Sequence, residues 1–312
     1  MFGLSLAAIA IPIFGWGMEQ GETEGGALCG GRAYPRISVP DGSSPYVELT
    51  VDGVTGPFLL DYGATFSSLS AAMFSGQDGS IRTAAISLPG IDRADFHLAR
   101  YYLMLQPKKG QIGVIGDDLL SRFTVQLTDR AAFLGAESCR PEALIARGLT
   151  PVAQSGFFSS DLSKGGTGLP NVPVVFLRLG GIRVWAQFDT GYEDFVYPRS
   201  VDINQALFDR LVASGADLEQ VKDIDMWTCD GRERRPVYRL KDRPLTVENE
   251  KGERIVETDS FHLILKPSNA CGGIADMTEP AAQLGASFLG LFGEVVFDPR
   301  NATVWLEGAA NR

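Results

Sequence analysis

Two aspartates, Asp61 and Asp189, end apolar runs, and each is followed by one residue and then a glycine. The stretches are "FLLDYGATFSSLS" from residue 58 and "AQFDTGYEDFVYP" from residue 186. A carboxylate at the end of a strand, entering a tight turn with little side-chain cover, is held in a fixed place. One such turn is common and proves nothing, but two in one chain allow more. Carboxylates about 3 Å apart cannot both ionise, so they share a proton. The ionised member can act as general base on a water, and the protonated member can polarise a carbonyl. Together they hydrolyse a peptide bond with no metal and no covalent intermediate. Other chemistries lack parts. His97 and His262 are the only histidines, too few for a structural zinc site, and CxxC, HExxH and GxxxxGK[ST] are absent. No metal and no cofactor is expected.

The residues around these turns are repeated. With Asp61 set over Asp189, "VELTVDGVTGPFLLD" lies over "VFLRLGGIRVWAQFD". Leu49 matches Leu177, Val51 matches Leu179, and Gly53 falls on Gly181 at a hairpin turn. Each copy therefore reads strand, tight turn, strand, Asp-x-Gly. Downstream, Phe96-His97-Leu98 matches Phe261-His262-Leu263, and "VIGDDLLSRFTVQLTDRAAFLG" parallels "QLGASFLGLFGEVVFDPRNATVWLEG". Three landmarks in one order indicate a duplicated unit. The copies are placed at 33–140 and 168–312, with 141–167 as an interlobe linker. In the longer second copy, Ile203, Leu207, Leu211 and Val212 have helical spacing. Arg232, Arg234 and Arg235 read as a solvated turn. Asp117 and Asp118 are expected at a helix start, where the dipole favours them.

The chain has 312 residues, 45% hydrophobic, with 36 Gly and 17 Pro breaking many short apolar runs. That composition points to an all-β protein with few short helices and a substantial core. A net charge of -10 argues against a nucleic-acid partner. Residues 1–18 carry no charged side chain and read as a signal peptide or N-terminal anchor. The expected location is therefore exported, periplasmic or secreted, with membrane attachment only through an uncleaved N-terminal segment. Four cysteines fit two disulfides. Cys29–Cys139 with Cys229–Cys271 is the favoured pairing, because each bridge would close one lobe; four buried thiols are the alternative.

The "FDTG" stretch with "LLDYGA" as its partner resembles the active-site motif of retropepsin/pepsin-like aspartic proteases. "VIGDDLL" and "LGASFLG" are similar to the apolar-apolar-Gly stretch that those enzymes place behind the catalytic loop. The resemblance covers most of 45–135 and 172–307. It implies two pseudo-symmetric retropepsin-like β-barrel lobes in a pepsin-like bilobal fold, sufficient as a monomer. It also implies Asp61 and Asp189 as catalytic residues, an active-site loop of Tyr62, Gly63, Ala64, Thr190 and Gly191, and an extended polypeptide substrate. A flap over the cleft is sought in 84–96 or in 246–257. In the family, the Thr or Ser of each loop braces the opposite loop. Thr190 matches that role and Tyr62 departs from it. If the phenol turns outward, the loop is braced otherwise; if it does not, the pair is mispositioned. Two further readings stay open: a catalytically impaired peptide-binding protein on the same fold, and a transport or envelope β protein whose Asp-x-Gly turns are hairpin structure only.

Overall fold

A computed structural model describes residues 28–39, 42–100, 110–154, 156–161, 171–193, 196–197, 199–228, 231–241, 243–270 and 273–308. Residues 1–18, Cys229 and Cys271 lie outside these. The first half runs β1 (Arg32–Val39), β2 (Gly42–Val51), β3 (Val54–Leu60), β4 (Ser68–Ser70), β5 (Ile81–Leu88), β6 (Ile91–Ala99), β7 (Gly113–Ile115), helix α1 (Asp117–Leu120), β8 (Thr124–Leu127) and β9 (Ala131–Gly135). After α2 (Pro141–Ala146) come β10 (Leu149–Ala153), β11 (Val174–Leu179), β12 (Ile182–Phe188), β13 (Ser200–Asn204) and α3 (Gln205–Ala213). Then follow β14 (Leu218–Gln220), β15 (Ile224–Thr228), β16 (Gly231–Arg235), β17 (Val237–Leu240), β18 (Leu245–Glu248), β19 (Arg254–Thr258) and β20 (His262–Lys266). The chain closes with β21 (Ala282–Leu284), α4 (Leu289–Phe292), β22 (Val295–Asp298) and β23 (Thr303–Glu307).

The fold is all-β, and its halves share one topology. In the first lobe β2 and β3 form a hairpin, and β3 lies parallel to β7. β4 is antiparallel to β7 and parallel to β6. β5 pairs with both β6 and β2, which closes the sheet on itself as a barrel. The second lobe repeats this with the β11–β12 hairpin, β12 parallel to β21, β13 antiparallel to β21 and β13 parallel to β20. Alternating residues fill each barrel: Phe58, Leu60, Leu69, Phe96 and Ile115 in one, Val184, Phe188, Val201, Leu263 and Leu284 in the other, all nearly inaccessible.

The lobes join through one sheet with strand order β10-β23-β22-β8-β9-β1. The middle pair, β22 with β8, crosses between the halves, Val296 opposite Gln126. On either side the order mirrors itself, β23 then β10, β9 then β1. This corrects the boundary expected for the linker. Residues 141–153 hold a helix and a strand, and β10 pairs with β23 as β1 pairs with β9. The second copy thus starts at β10. Its signal is short, and Pro151 inside it hides the strand, as Pro35 does in β1.

Three other expectations change. α3 buries Leu207 and Leu211, but Ile203 belongs to β13 and Val212 is exposed. Asn204 caps the helix, its Oδ1 accepting from Leu207 N at 3.0 Å. Arg235 is not on a solvated turn. Its guanidinium is buried and donates to Asp202 Oδ2 at 2.9 Å, while Arg232 and Arg234 pair with Asp225 and Asp223 at the surface. The hairpin at 84–96 turns beside the β2–β3 turn, where Asp52 N donates to Ala85 O. That is the end of β3 opposite to Asp61, so this hairpin does not cover the carboxylates. The disulfide expected in the first half is present: Cys29 bonds Cys139 across a separation of 110 residues.

Candidate functional site

Asp61 follows β3 and Asp189 follows β12, so each leaves the edge of a parallel pair. Asp61 N donates to Ile115 O and Asp189 N to Leu284 O, both at 2.9 Å. These bonds continue the β3–β7 and β12–β21 ladders up to the aspartate. The apolar-apolar-Gly stretches then support each loop from below. A Cβ on Gly116 would come 2.7 Å from Ala64 O, and one on Gly285 would come 2.5 Å from Tyr192 O. Only glycine admits the loop backbone that closely. Asp117 N donates to Ala64 O at 2.8 Å, and Ala286 N donates to Tyr192 O at 2.7 Å.

The structure brings Asp61 and Asp189 together, with their carboxyl groups in hydrogen-bond reach of each other. Each lies against the glycine of the opposite loop. A Cβ on Gly63 would sit 2.1 Å from Asp189 Cγ, and one on Gly191 would sit 2.2 Å from Asp61 Cγ. Within each loop the carboxylate accepts from the backbone: Asp61 Oδ1 from Gly63 N at 2.7 Å, Asp189 Oδ1 from Gly191 N and Tyr192 N at 2.9 Å. Burial raises the pKa of both groups. Asp189 stands well above the ordinary carboxylate range, because burial is joined by the negative charge of Asp61 and by their shared hydrogen bond. In Asp61, burial is opposed by the bond to Asp189 and by the Gly63 amide. The two carboxyl groups therefore titrate as one pair that shares a proton.

Thr190 braces the opposite loop as its type suggests. Its Oγ1 donates to Leu60 O at 2.7 Å and accepts from Tyr62 N at 3.1 Å. Tyr62 does not return that grip. Nor does it turn outward: its ring points down into the core and is 1% exposed. It lies 4.3 Å from the Phe297 ring and edge-on to Phe158 at 5.8 Å. Phe297 packs in turn on Phe188, the residue before Asp189, and Phe188 on Phe292. A line of aromatic rings thus runs beneath both aspartate loops and crosses between the halves. The Tyr62 hydroxyl makes no hydrogen bond among the described residues. Burial, with Asp117 and Asp298 nearby, pushes its pKa well up.

Several neighbours were not foreseen. Gln283 Nε2 donates to Asp189 Oδ2 at 2.8 Å; the visible signal was a lone amide in "AAQLGA", where the first copy has Val114. Glu193 crosses the lobe boundary, its carboxylate accepting from Ser43 N and, at 2.9 Å, from Ser44 Oγ. Tyr46 donates to Gln111 at 3.0 Å, and burial, with the charges of Glu193 and Asp61, pushes its phenol up to about 12. Asp117 is buried behind the first loop and receives the Ser121 hydroxyl at 2.5 Å. Burial raises its pKa to about 8, so it is no simple helix-start anion. Asp118 instead accepts from Ser67 N and Oγ and from Leu119 N. The two histidines occupy matching places and pack on aromatics, His97 on Phe66 and His262 on Tyr197, each with ring centroids 4.7 Å apart. Among the described residues no group of three or more His, Cys, Asp or Glu could hold a metal.

No family model matches this chain, and no curated protein matches it. Among solved structures it is similar to basic 7S globulin from soybean, at 12% sequence identity and a TM-score of 0.49. That likeness covers 88% of this chain and 93% of the globulin.

Proposed function

We propose that this protein is an aspartic-type endopeptidase. The observation that carries the reading is the pair itself: two half-buried carboxyl groups in mutual hydrogen-bond reach, each seated on the opposite glycine. Asp61, ionised, takes a proton from a water held between the two groups. The water oxygen attacks the peptide carbonyl as Asp189 gives its proton to the carbonyl oxygen. Collapse of the tetrahedral intermediate breaks the C–N bond, the proton taken by Asp61 goes to the leaving amine, and a hydroxyl of the intermediate returns its proton to Asp189 as the carbonyl re-forms. Gln283 holds Asp189 Oδ2 in place. No metal or organic cofactor has a part in this sequence. The substrate is a polypeptide in extended conformation, and one chain supplies both carboxylates, so a monomer suffices. The Cys29–Cys139 disulfide fits an oxidising, exported location. Among the described residues no helix is long and apolar enough to cross a membrane.

The test is cleavage of an unfolded protein mixture from about pH 3 to pH 7, wild type beside Asp61→Asn and Asp189→Asn. Activity requires Asp61 ionised and Asp189 protonated. It should rise with pH through the first ionisation and fall through the second. Because burial raises both pKa values, the bell should sit above the ordinary carboxylate range. One observation favours a second reading, peptide binding without hydrolysis. Only Thr190 makes the cross-loop hydroxyl bond, and the other half of that brace is replaced by Tyr62 packing. Folded wild type that binds peptides and cleaves none at any pH would establish that alternative.

A further inference from the structure

The surfaces beside the two aspartates differ in chemistry although their backbones match. Leu59 pairs with Val114 in the first lobe, and Gln187 pairs with Gln283 at the equivalent place in the second. Strand alternation turns these residues away from the barrel interiors. On the first-lobe side, Leu59 and Val114 join Tyr46 and Ala99 in an apolar patch, with Ile37 and Ala64 packed against it. On the second-lobe side the same face carries Gln187, Gln283, Asp202 and Lys266.

Lys266 stands out in this group. The residue is 8% exposed, and its ammonium makes no hydrogen bond or ion pair among the described residues. The nearby acids are engaged elsewhere. Asp202 receives Arg235 and the Tyr192 hydroxyl, each at 2.9 Å, and Asp189 receives Gln283. Burial pushes the Lys266 ammonium below the usual lysine range. The amide oxygen of Gln283 is close by: one point, a Cβ built on Gly273, is 3.4 Å from Lys266 Nζ and 3.8 Å from Gln283 Oε1. Asp202, Asp189 and Glu233 act on the ammonium through their charge, and no side chain among the described residues bonds it directly. A desolvated cation with no direct partner costs stability, and such a group beside a reactive pair is a candidate for binding a ligand.

We infer that Lys266, next to Gln283, forms a subsite for a carboxylate of the bound peptide on the second-lobe side of the cleft, opposite the apolar patch around Tyr46. This rests on the peptide-cleaving function proposed above. The carboxylate has two possible sources, an Asp or Glu side chain or the chain's own C-terminus. A charge-assisted hydrogen bond should favour the acid over its neutral isostere by about ten-fold or more.

The test compares peptide pairs that differ only in Glu against Gln, scanned through the positions flanking the cleaved bond, all C-terminally amidated. A second set ends at each position as free acid or as amide. Ratios of kcat/KM within each pair are measured for wild type, Lys266→Met and Lys266→Gln. Binding of the same pairs to the Asp61→Asn variant, with and without Lys266→Met, is followed by calorimetry. We expect at least about ten-fold preference for the acid in one set, falling to near unity in both Lys266 variants. Whichever set shows it identifies the source of the carboxylate. A preference in binding with no cleavage would overturn the protease reading and leave the subsite standing. Cleavage with no acid preference in either set would overturn the subsite and leave the protease. Lys266→Met should also unfold at a higher temperature than wild type. A lower one would mean the ammonium is already partnered, which also overturns the inference.

Discussion

The Tyr62 position separates two accounts of how the aspartate loops are held. By residue type, Thr at 62 would restore a symmetric pair of hydroxyl braces. By packing, the Tyr62 ring is a wedge between Phe158 and Phe297, and its loss leaves a hole under the loops. Truncating a fully buried aromatic ring costs about 3–5 kcal/mol once the cavity is counted. One neutral hydroxyl hydrogen bond returns about 1 kcal/mol. Tyr62→Thr should therefore lose about 2–4 kcal/mol net. The loop should also lose its seat, and a shift of about 1 Å is worth roughly 100-fold in rate. Tyr62→Phe removes only a hydroxyl that has no partner among the described residues. It relieves an unsatisfied buried group, so stability should rise by about 1 kcal/mol. The assay is urea unfolding monitored by tryptophan fluorescence, with kcat/KM on one peptide for all three proteins. The Phe variant should exceed the Thr variant by about 100-fold in kcat/KM. The reasoning fails if Tyr62→Thr is as stable as wild type and faster, because the hydroxyl brace would then outweigh the ring. It also fails if Tyr62→Phe loses stability, because the phenol would then have a partner.

Gly63→Ala and Gly191→Ala place a methyl 2.1–2.2 Å from the opposite carboxyl carbon; each should cut kcat/KM by about 100-fold or more while circular dichroism stays native. Asp117 holds its proton up to about pH 8 in the folded chain but releases it near pH 4 when unfolded. The folded chain binds more protons between these values, so this group's stabilisation is complete below pH 4 and is lost as pH rises toward 8. Asp117→Asn should flatten that fall, by at most about 1.4 kcal/mol per pH unit, as read from urea midpoints at pH 5 and pH 8; an unchanged slope would show that Asp117 ionises normally. Replacing Cys29 and Cys139 by Ala opens a loop of 110 residues and should lower unfolding stability by up to about 4–5 kcal/mol. Equal stability with and without reductant would refute this.

The duplicated halves, the meeting of Asp61 with Asp189 and the Cys29–Cys139 bridge were legible because each leaves a paired signal in the sequence. Strand-turn-strand alternation survives in both copies, and a glycine that admits a backbone or a carboxylate cannot be exchanged for a larger residue. What was missed depends on a single residue against its background. β10 is a short run with Pro151 in it, so it reads as linker although β23 needs it as an edge partner. Arg235 looks like its exposed neighbours, and only Asp202 beneath it makes it a core residue. For Tyr62, size alone left open an outward ring or a mispositioned pair, and the structure shows neither; the space between Phe158 and Phe297 is a tertiary fact with no trace nearby in the chain. Gln283 and Lys266 had a weak signal, a polar side chain inside an apolar strand, whose meaning depends on which face meets the cleft.

The crossed seating of the aspartates has a consequence for assembly. Neither loop holds its carboxylate alone, because Asp61 rests on Gly191 and Asp189 on Gly63. Each half also brings three strands to the shared sheet, and the β8–β22 contact is made without covalent help. One covalent crossing, between β9 and β10, therefore sets how often the halves meet. A short tether gives an effective concentration in the millimolar range. If the chain were cut there, activity would become second order, and the turnover rate at a given dilution would report the dissociation constant between the lobes.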